Sequence, residues 1–92
     1  MLKTLENLIT IIRQKKISDE KSYTSKLLRD KNLSVEKVKE EIAELIEAVE
    51  NNSNTVHEAA DVLYHLLVYL EGNGVRIEDI MSELEKRRKK ES

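Results

Sequence analysis

Two long stretches of this sequence, Val35 to Glu50 and Val56 to Glu71, repeat apolar residues at helical spacing, and only Asn51-Asn52-Ser53-Asn54 separates them. That pattern commits the chain to long helices packed side by side. Each stretch interrupts its apolar repeat with carboxylates: Glu40-Glu41-Ile42-Ala43-Glu44 in the first, Glu58-Ala59-Ala60-Asp61 in the second. Acidic residues three apart point the same way from a helix, so two such helices aim four carboxylates at one spot. The expectation is a magnesium site that receives a phosphate-bearing substrate.

The remaining segments read as helices too. Leu5, Leu8, Ile9 and Ile12 predict an amphipathic first helix from Leu2 to about Lys15. Ile17 to Lys21, with the pair Ser18-Asp19, reads as a loop, and Ser22 to Arg29 as one or two helical turns. Ser34 is the expected N-cap of the third helix, whose stripe of Val38, Ile42, Leu45, Ile46 and Val49 should face the core. Thr55 with Glu58 three residues on matches a capping box for the fourth, and Gly72-Asn73-Gly74 should end it. Ile77, Ile80, Met81 and Leu84 mark a last helix that runs into the basic Lys86-Arg87-Arg88-Lys89-Lys90, read as a solvated final turn.

Absences narrow the class. With no Pro, Phe or Trp and two Gly, the chain is all-α and packs through aliphatic side chains. Ninety-two residues form a single domain, residues 1–92, with a core so small that self-association should extend it. The fourth helix, apolar over most of its circumference, should lie at the centre. A homodimer or an assembly of dimers is expected. No Cys is present, which rules out disulfides and thiolate metal sites. No stretch reaches the roughly 20 apolar residues of a membrane span, and no signal-peptide core precedes the first helix, so we expect a cytoplasmic protein with no membrane partner. A net charge of -2 argues against nucleic acid as a partner.

The carboxylates are more than a solvated face. On a helical wheel Glu41 lies about 40° from Leu45, with Glu44 further round, so both sit at the edge of the apolar stripe; Glu40 lies nearly opposite it. Glu58 and Asp61 are the only acidic residues between Val56 and Leu70. A buried, unpaired carboxylate costs several kcal/mol and recruits a cation. Sulfur-free, all-carboxylate ligands suit Mg²⁺, with Mn²⁺ as a substitute. Di-iron bundles need Glu-x-x-His on two helices, and no Glu here has His three residues later.

The spacing of EEIAE and EAAD is similar to the EExxE…ExxD signature of MazG-like all-α nucleoside-triphosphate pyrophosphohydrolases. More closely, SYTSKLL at Ser22 to Leu28, KVKEEIAELIEA at Lys37 to Ala48, EAADVLYHLLVYL at Glu58 to Leu70 and the closing GVRIEDIMSELEKR resemble the phosphoribosyl-ATP pyrophosphatases of histidine biosynthesis. The resemblance covers nearly the whole chain. It implies a MazG-like bundle of four to five helices completed by dimerisation, with active sites near the subunit interface. The implied activity is Mg²⁺-dependent hydrolysis of N1-(5-phosphoribosyl)-ATP to the AMP compound and pyrophosphate, the second step of histidine biosynthesis. The implied metal ligands are Glu41, Glu44, Glu58 and Asp61, with Glu40 orienting water or standing in the outer shell. Ser22, Tyr23, Thr24 and Lys26, together with Lys37, are the implied substrate-binding residues. Lys21 and Lys39 stand where the family often has glycine, and neither removes an implied ligand. A chain of this length leaves no room for the phosphoribosyl-AMP cyclohydrolase domain fused in some members. Two other functions compete: a MazG-like house-cleaning pyrophosphohydrolase, which shares the acidic site without needing the SYTSKLL block, and a non-catalytic helical assembly module, which has no use for Asp61 in an apolar surround.

Overall fold

The computed structural model describes residues 1–18 and 21–91, with Glu91 described in its backbone only. Asp19, half of the expected Ser18-Asp19 turn, lies outside the described residues. Among the described residues five helices follow one another: α1 (Lys3–Lys16), α2 (Tyr23–Arg29), α3 (Lys31–Asn51), α4 (Thr55–Gly72) and α5 (Ile77–Glu91). The described residues contain no strand, so the fold is all-α as the composition implied. Among the described residues no helix is long and apolar enough to cross a membrane.

Helix boundaries follow capping chemistry, with two corrections. Ser22 caps α2 by accepting from the backbone N–H of Ser25 at 3.1 Å. Asp30, not Ser34, caps α3: its Oδ1 accepts from the Leu33 N–H at 3.0 Å, and its extended backbone turns the chain between α2 and α3. Ser34 lies a turn inside the helix, where it is buried. Nor does Thr55 form a capping box. It is the first residue of α4, its hydroxyl donates back to the Ala48 carbonyl at 3.4 Å, and Asn54 holds the N-cap position. The turn between α3 and α4 instead depends on Asn52 and Asn54, both left-handed at φ 52° and 53°, a conformation asparagine tolerates better than most residues. Gly74, at φ 73°, follows α4 where the sequence placed the stop.

The core gathers Ile9 and Ile12 of α1, Leu27 of α2 and Leu67 and Val68 of α4, with Leu5, Leu8, Leu28, Leu33, Tyr64 and Ile77 packed around them. Each fully enclosed aliphatic side chain among these contributes about 1.5–3 kcal/mol. α4 packs against all four other helices, the central position its sequence predicted. The face of α3 is different from the one expected. Ile42, Ile46 and Val49 are 42%, 54% and 58% exposed, whereas Ser34, Glu41 and Ala48 are buried. Those three lie seven residues apart, along one seam of the helix. The apolar side of α3 is therefore offset from the side that meets α4, and the seam is built from a small residue, a hydroxyl and a carboxylate.

Arg13 ties three helices together. Its Nε and Nη2 donate to the carboxylate of Glu71 on α4 at 3.1 and 3.0 Å, and its Nη1 and Nη2 to Glu78 on α5 at 2.9 and 2.6 Å. Glu71 is buried. The hydrogen bond from Arg13 is the main reason the Glu78 carboxyl is pulled down to about 2.

Candidate active site

The short Asn-rich turn folds α4 back along α3, so that Thr55 meets Ala48 and, one turn deeper, Glu58 meets Glu44. Carboxylate oxygens of Glu41, Glu44 and Glu58 all lie within 4.8 Å of one another. Glu58 belongs to a second group as well, with His57 and Asp61. Asp61 shares only Glu58 with the first group, and its Oδ2 lies 3.4 Å from His57 Nε2. It remains close enough to Glu41 to raise that residue's affinity for a proton. Glu41, Glu44 and Glu58 thus come together, with Asp61 joined to them through Glu58, whereas Glu40 lies out on the surface and pairs with Lys37 at 3.3 Å.

The electrostatics of this cluster are unfavourable as it stands. Glu41 is 8% exposed, and Glu41 Oε2 and Glu58 Oε2 are both sealed from solvent with no hydrogen-bond partner. Among the described residues no Arg or Lys pairs with Glu41, Glu44, Glu58 or Asp61. Burial, reinforced by the neighbouring Glu44, pushes the carboxyls of both Glu41 and Glu58 above the ordinary value. Buried carboxylate oxygens that lack donors are the condition a hard divalent cation satisfies, and oxygen-only donors match Mg²⁺ chemistry.

α2 lies beside this cluster, on α4. Tyr23 stacks on Tyr64 with ring centroids 6.3 Å apart and an interplanar angle of 18°, and its hydroxyl lies 2.9 Å from His65 Nε2. Thr24, which is buried, hydrogen-bonds to the Tyr64 hydroxyl. The Ser22 hydroxyl is engaged in the cap and with Ser25 Oγ at 3.0 Å. Of the five implied substrate-binding residues, Tyr23 and Lys26 are exposed and Lys37 is half-buried. Lys37 feels Tyr23 and Glu41 electrostatically, and its own pKa is raised chiefly by the hydrogen bond to Glu40. Beside α2 an open recess of about 540 Å³ is lined by Lys21, Ser22, Tyr23, Ser25, Lys26 and Arg29. Sequence reasoning passed over Arg29 and Tyr64. It placed His57 just before Glu58 and His65 four residues after Asp61 and took each as a solvent-facing or satisfied histidine; His57 is exposed, and His65 is satisfied by the Asp61 carbonyl and the Tyr23 hydroxyl.

The model of the phosphoribosyl-ATP pyrophosphohydrolase family matches residues 3–88. The chain is 46% identical over 88 residues to the phosphoribosyl-ATP pyrophosphatase of Methylobacterium nodulans, covering 91% of this chain and 82% of that protein. It is 47% identical over 76 residues to the enzyme of the same name from Methanoregula boonei, covering 77% and 73% respectively. It is also 41% identical over 90 residues to the histidine biosynthesis bifunctional protein HisIE of Pyrococcus furiosus, where the match spans 97% of this chain but 42% of the larger protein. The matched region takes in both acidic motifs, α2 and the helices that carry them, and on that basis the chain belongs to the phosphoribosyl-ATP pyrophosphohydrolase family.

Proposed function

We propose that this protein hydrolyses N1-(5-phosphoribosyl)-ATP to N1-(5-phosphoribosyl)-AMP and pyrophosphate, in the cytoplasm, with Mg²⁺ held by Glu41, Glu44, Glu58 and Asp61. The observation that carries the reading is the pair of sealed, unpartnered carboxylate oxygens on Glu41 and Glu58, two members of one carboxylate cluster between α3 and α4, in a chain of this family. When bound there, Mg²⁺ supplies charge neutralisation for the polyphosphate and its leaving group. The chain's own residues do the positioning. Lys26, with Arg29 and Lys21 at the recess beside α2, and Lys37 on α3 meet phosphate oxygens. Glu40, outside the ligand set and paired with Lys37, orients the attacking water or stands in the outer shell. Holding a water and a phosphoanhydride in line is most of what phosphoryl chemistry asks of a protein.

We also infer that the working unit is a homodimer or an assembly of dimers. The exposed Ile42, Ile46 and Val49 of α3, with Val56 and Leu63 of α4, make an apolar surface on the same hairpin that carries the acidic cluster. Turnover of phosphoribosyl-ATP measured against a panel of ordinary nucleoside triphosphates tests the activity. The substrate should be preferred, and Glu44→Gln and Asp61→Asn should lose turnover while keeping helical content. Preference for the ordinary nucleotides would move the protein to house-cleaning chemistry; wild-type rates in both variants at limiting Mg²⁺ would dismiss the site.

A further inference from the structure

The contact between α2 and α4 includes a directed relay that the acidic site does not itself explain. His65 is buried, and its Nδ1 lies 2.8 Å from the Asp61 backbone carbonyl. A carbonyl oxygen only accepts, so Nδ1 carries the proton, and in the neutral ring Nε2 is left as the acceptor. Among the described residues the partner of Nε2 is the Tyr23 hydroxyl at 2.9 Å, which must therefore donate. The phenol proton is committed to His65, and the Tyr23 oxygen offers only lone pairs to whatever approaches from the site. The ring is held edge-on to His65 and stacked on Tyr64, so its position is defined from two sides.

We propose that His65 is a positioning residue: locked in the Nδ1–H form by the Asp61 carbonyl, it fixes the Tyr23 ring beside the acidic site and turns the Tyr23 oxygen into an acceptor for a sugar hydroxyl of the substrate. An oxygen with no proton to give cannot hydrogen-bond a phosphate oxygen, which accepts as well. Tyr23 accordingly reads the ribose side of the substrate, while the cations of α2 and α3 read its phosphates. The relay also joins substrate recognition to the helix turn that bears Asp61. This proposal rests on the phosphoribosyl-ATP reading given above.

Three variants test it: His65→Asn, whose amide can keep the bond to the Asp61 carbonyl but not reach Tyr23; His65→Gln, whose side-chain oxygen can take the place of Nε2; and Tyr23→Phe. The Thr24–Tyr64 hydrogen bond and buried Leu27 keep α2 docked in all of them. Loss of one hydrogen bond corresponds to roughly a three- to tenfold change. His65→Asn should raise KM by about that factor and leave kcat within about twofold; Tyr23→Phe should raise it at least as much. The double variant should be no worse than Tyr23→Phe alone, and His65→Gln should recover most of the loss. An unchanged KM in His65→Asn, or effects that multiply in the double variant, overturns the proposal. A second readout is independent of turnover. The chain has three tyrosines, so fluorotyrosine labelling yields three ¹⁹F resonances, and that of Tyr23 should move toward the exposed-tyrosine position in His65→Asn but not in His65→Gln. If wild-type protein leaves phosphoribosyl-ATP intact, the substrate reading fails and the ¹⁹F shift alone decides the positioning: a Tyr23 resonance indifferent to His65→Asn refutes it.

Discussion

Replacing Glu41 by glutamine should have effects of opposite sign with and without metal. In metal-free protein the Glu41 carboxylate is buried beside Glu44 and Glu58, and its Oε2 has no donor. An unsatisfied buried polar group costs about 1–3 kcal/mol, and a glutamine amide would instead donate to the carboxylates around it. For 92 residues, unfolding entropy of about 2.1 cal/mol/K per residue makes 1 kcal/mol worth roughly 5 °C in Tm. Glu41→Gln should therefore melt about 5–15 °C above wild type in EDTA. Adding Mg²⁺ to a hundred times Kd should stabilise wild type by about 2.7 kcal/mol, or roughly 14 °C. A variant whose affinity has fallen about 10–100-fold gains only about 0.4–1.4 kcal/mol at the same concentration. The assay is thermal melting at one protein concentration, with and without Mg²⁺, alongside circular dichroism to show that helix content is unchanged. A variant that melts below wild type in EDTA, or that responds to Mg²⁺ as wild type does, refutes the idea that these oxygens await a cation.

Three further expectations follow from the same contacts. Because burial and Glu44 raise the Glu41 and Glu58 carboxyls, their contribution to the stability of metal-free protein is full below the ordinary value of 4.5 and is lost as pH rises through the raised values; melting in EDTA across pH 4 to 8 should show that fall, and saturating Mg²⁺ should abolish it. Glu78 acts in the opposite direction, its contribution being present above 4.5 and lost only as pH drops through about 2. Ile46→Asp, at a site 54% exposed, should leave the core intact yet abolish the concentration dependence of Tm and shift sedimentation to monomer; unchanged sedimentation would argue against a dimer through this face. Arg13→Met strands the buried Glu71 carboxylate and should cost about 2–3 kcal/mol, less than the usual 3–5 because a third of the Arg13 side chain is exposed, while Arg13→Met with Glu71→Met should recover part of it in denaturant unfolding.

Helix number, order and extent could be read from periodicity and from the Asn- and Gly-rich breaks because those signals are local: a stripe at helical spacing needs only its own neighbours to specify it. The acidic residues could be chosen for a similar reason, since carboxylates placed in an otherwise apolar helix conflict with burial wherever that helix packs. Caps were less certain. Ser34 and Thr55 are acceptable N-caps by residue type, but Asp30 had the extended backbone at the α2–α3 corner and two left-handed asparagines already shaped the α3–α4 turn. Choice among several capable residues depends on where the chain must turn, which one segment does not record.

What the residues alone could not supply was direction. A wheel centred on Ile42, Ile46 and Val49 points α3 at the core, yet in the fold the side that meets α4 is the seam of Ser34, Glu41 and Ala48, because the short turn after Asn51 sets the rotation at which the two helices face each other. That rotation buries Glu41, brings it to Glu58 and leaves Ile42, Ile46 and Val49 on the surface, with Val38 and Leu45 half-buried. Likewise, Tyr23 and His65 lie forty-two residues apart, and their hydrogen bond exists only because α2 docks on α4. Periodicity and side-chain chemistry determine which helices form and which groups are able to bind a cation or a phosphate. Convergence and hydrogen-bond polarity are long-range properties, settled when packing fixes how each helix is turned toward its neighbours.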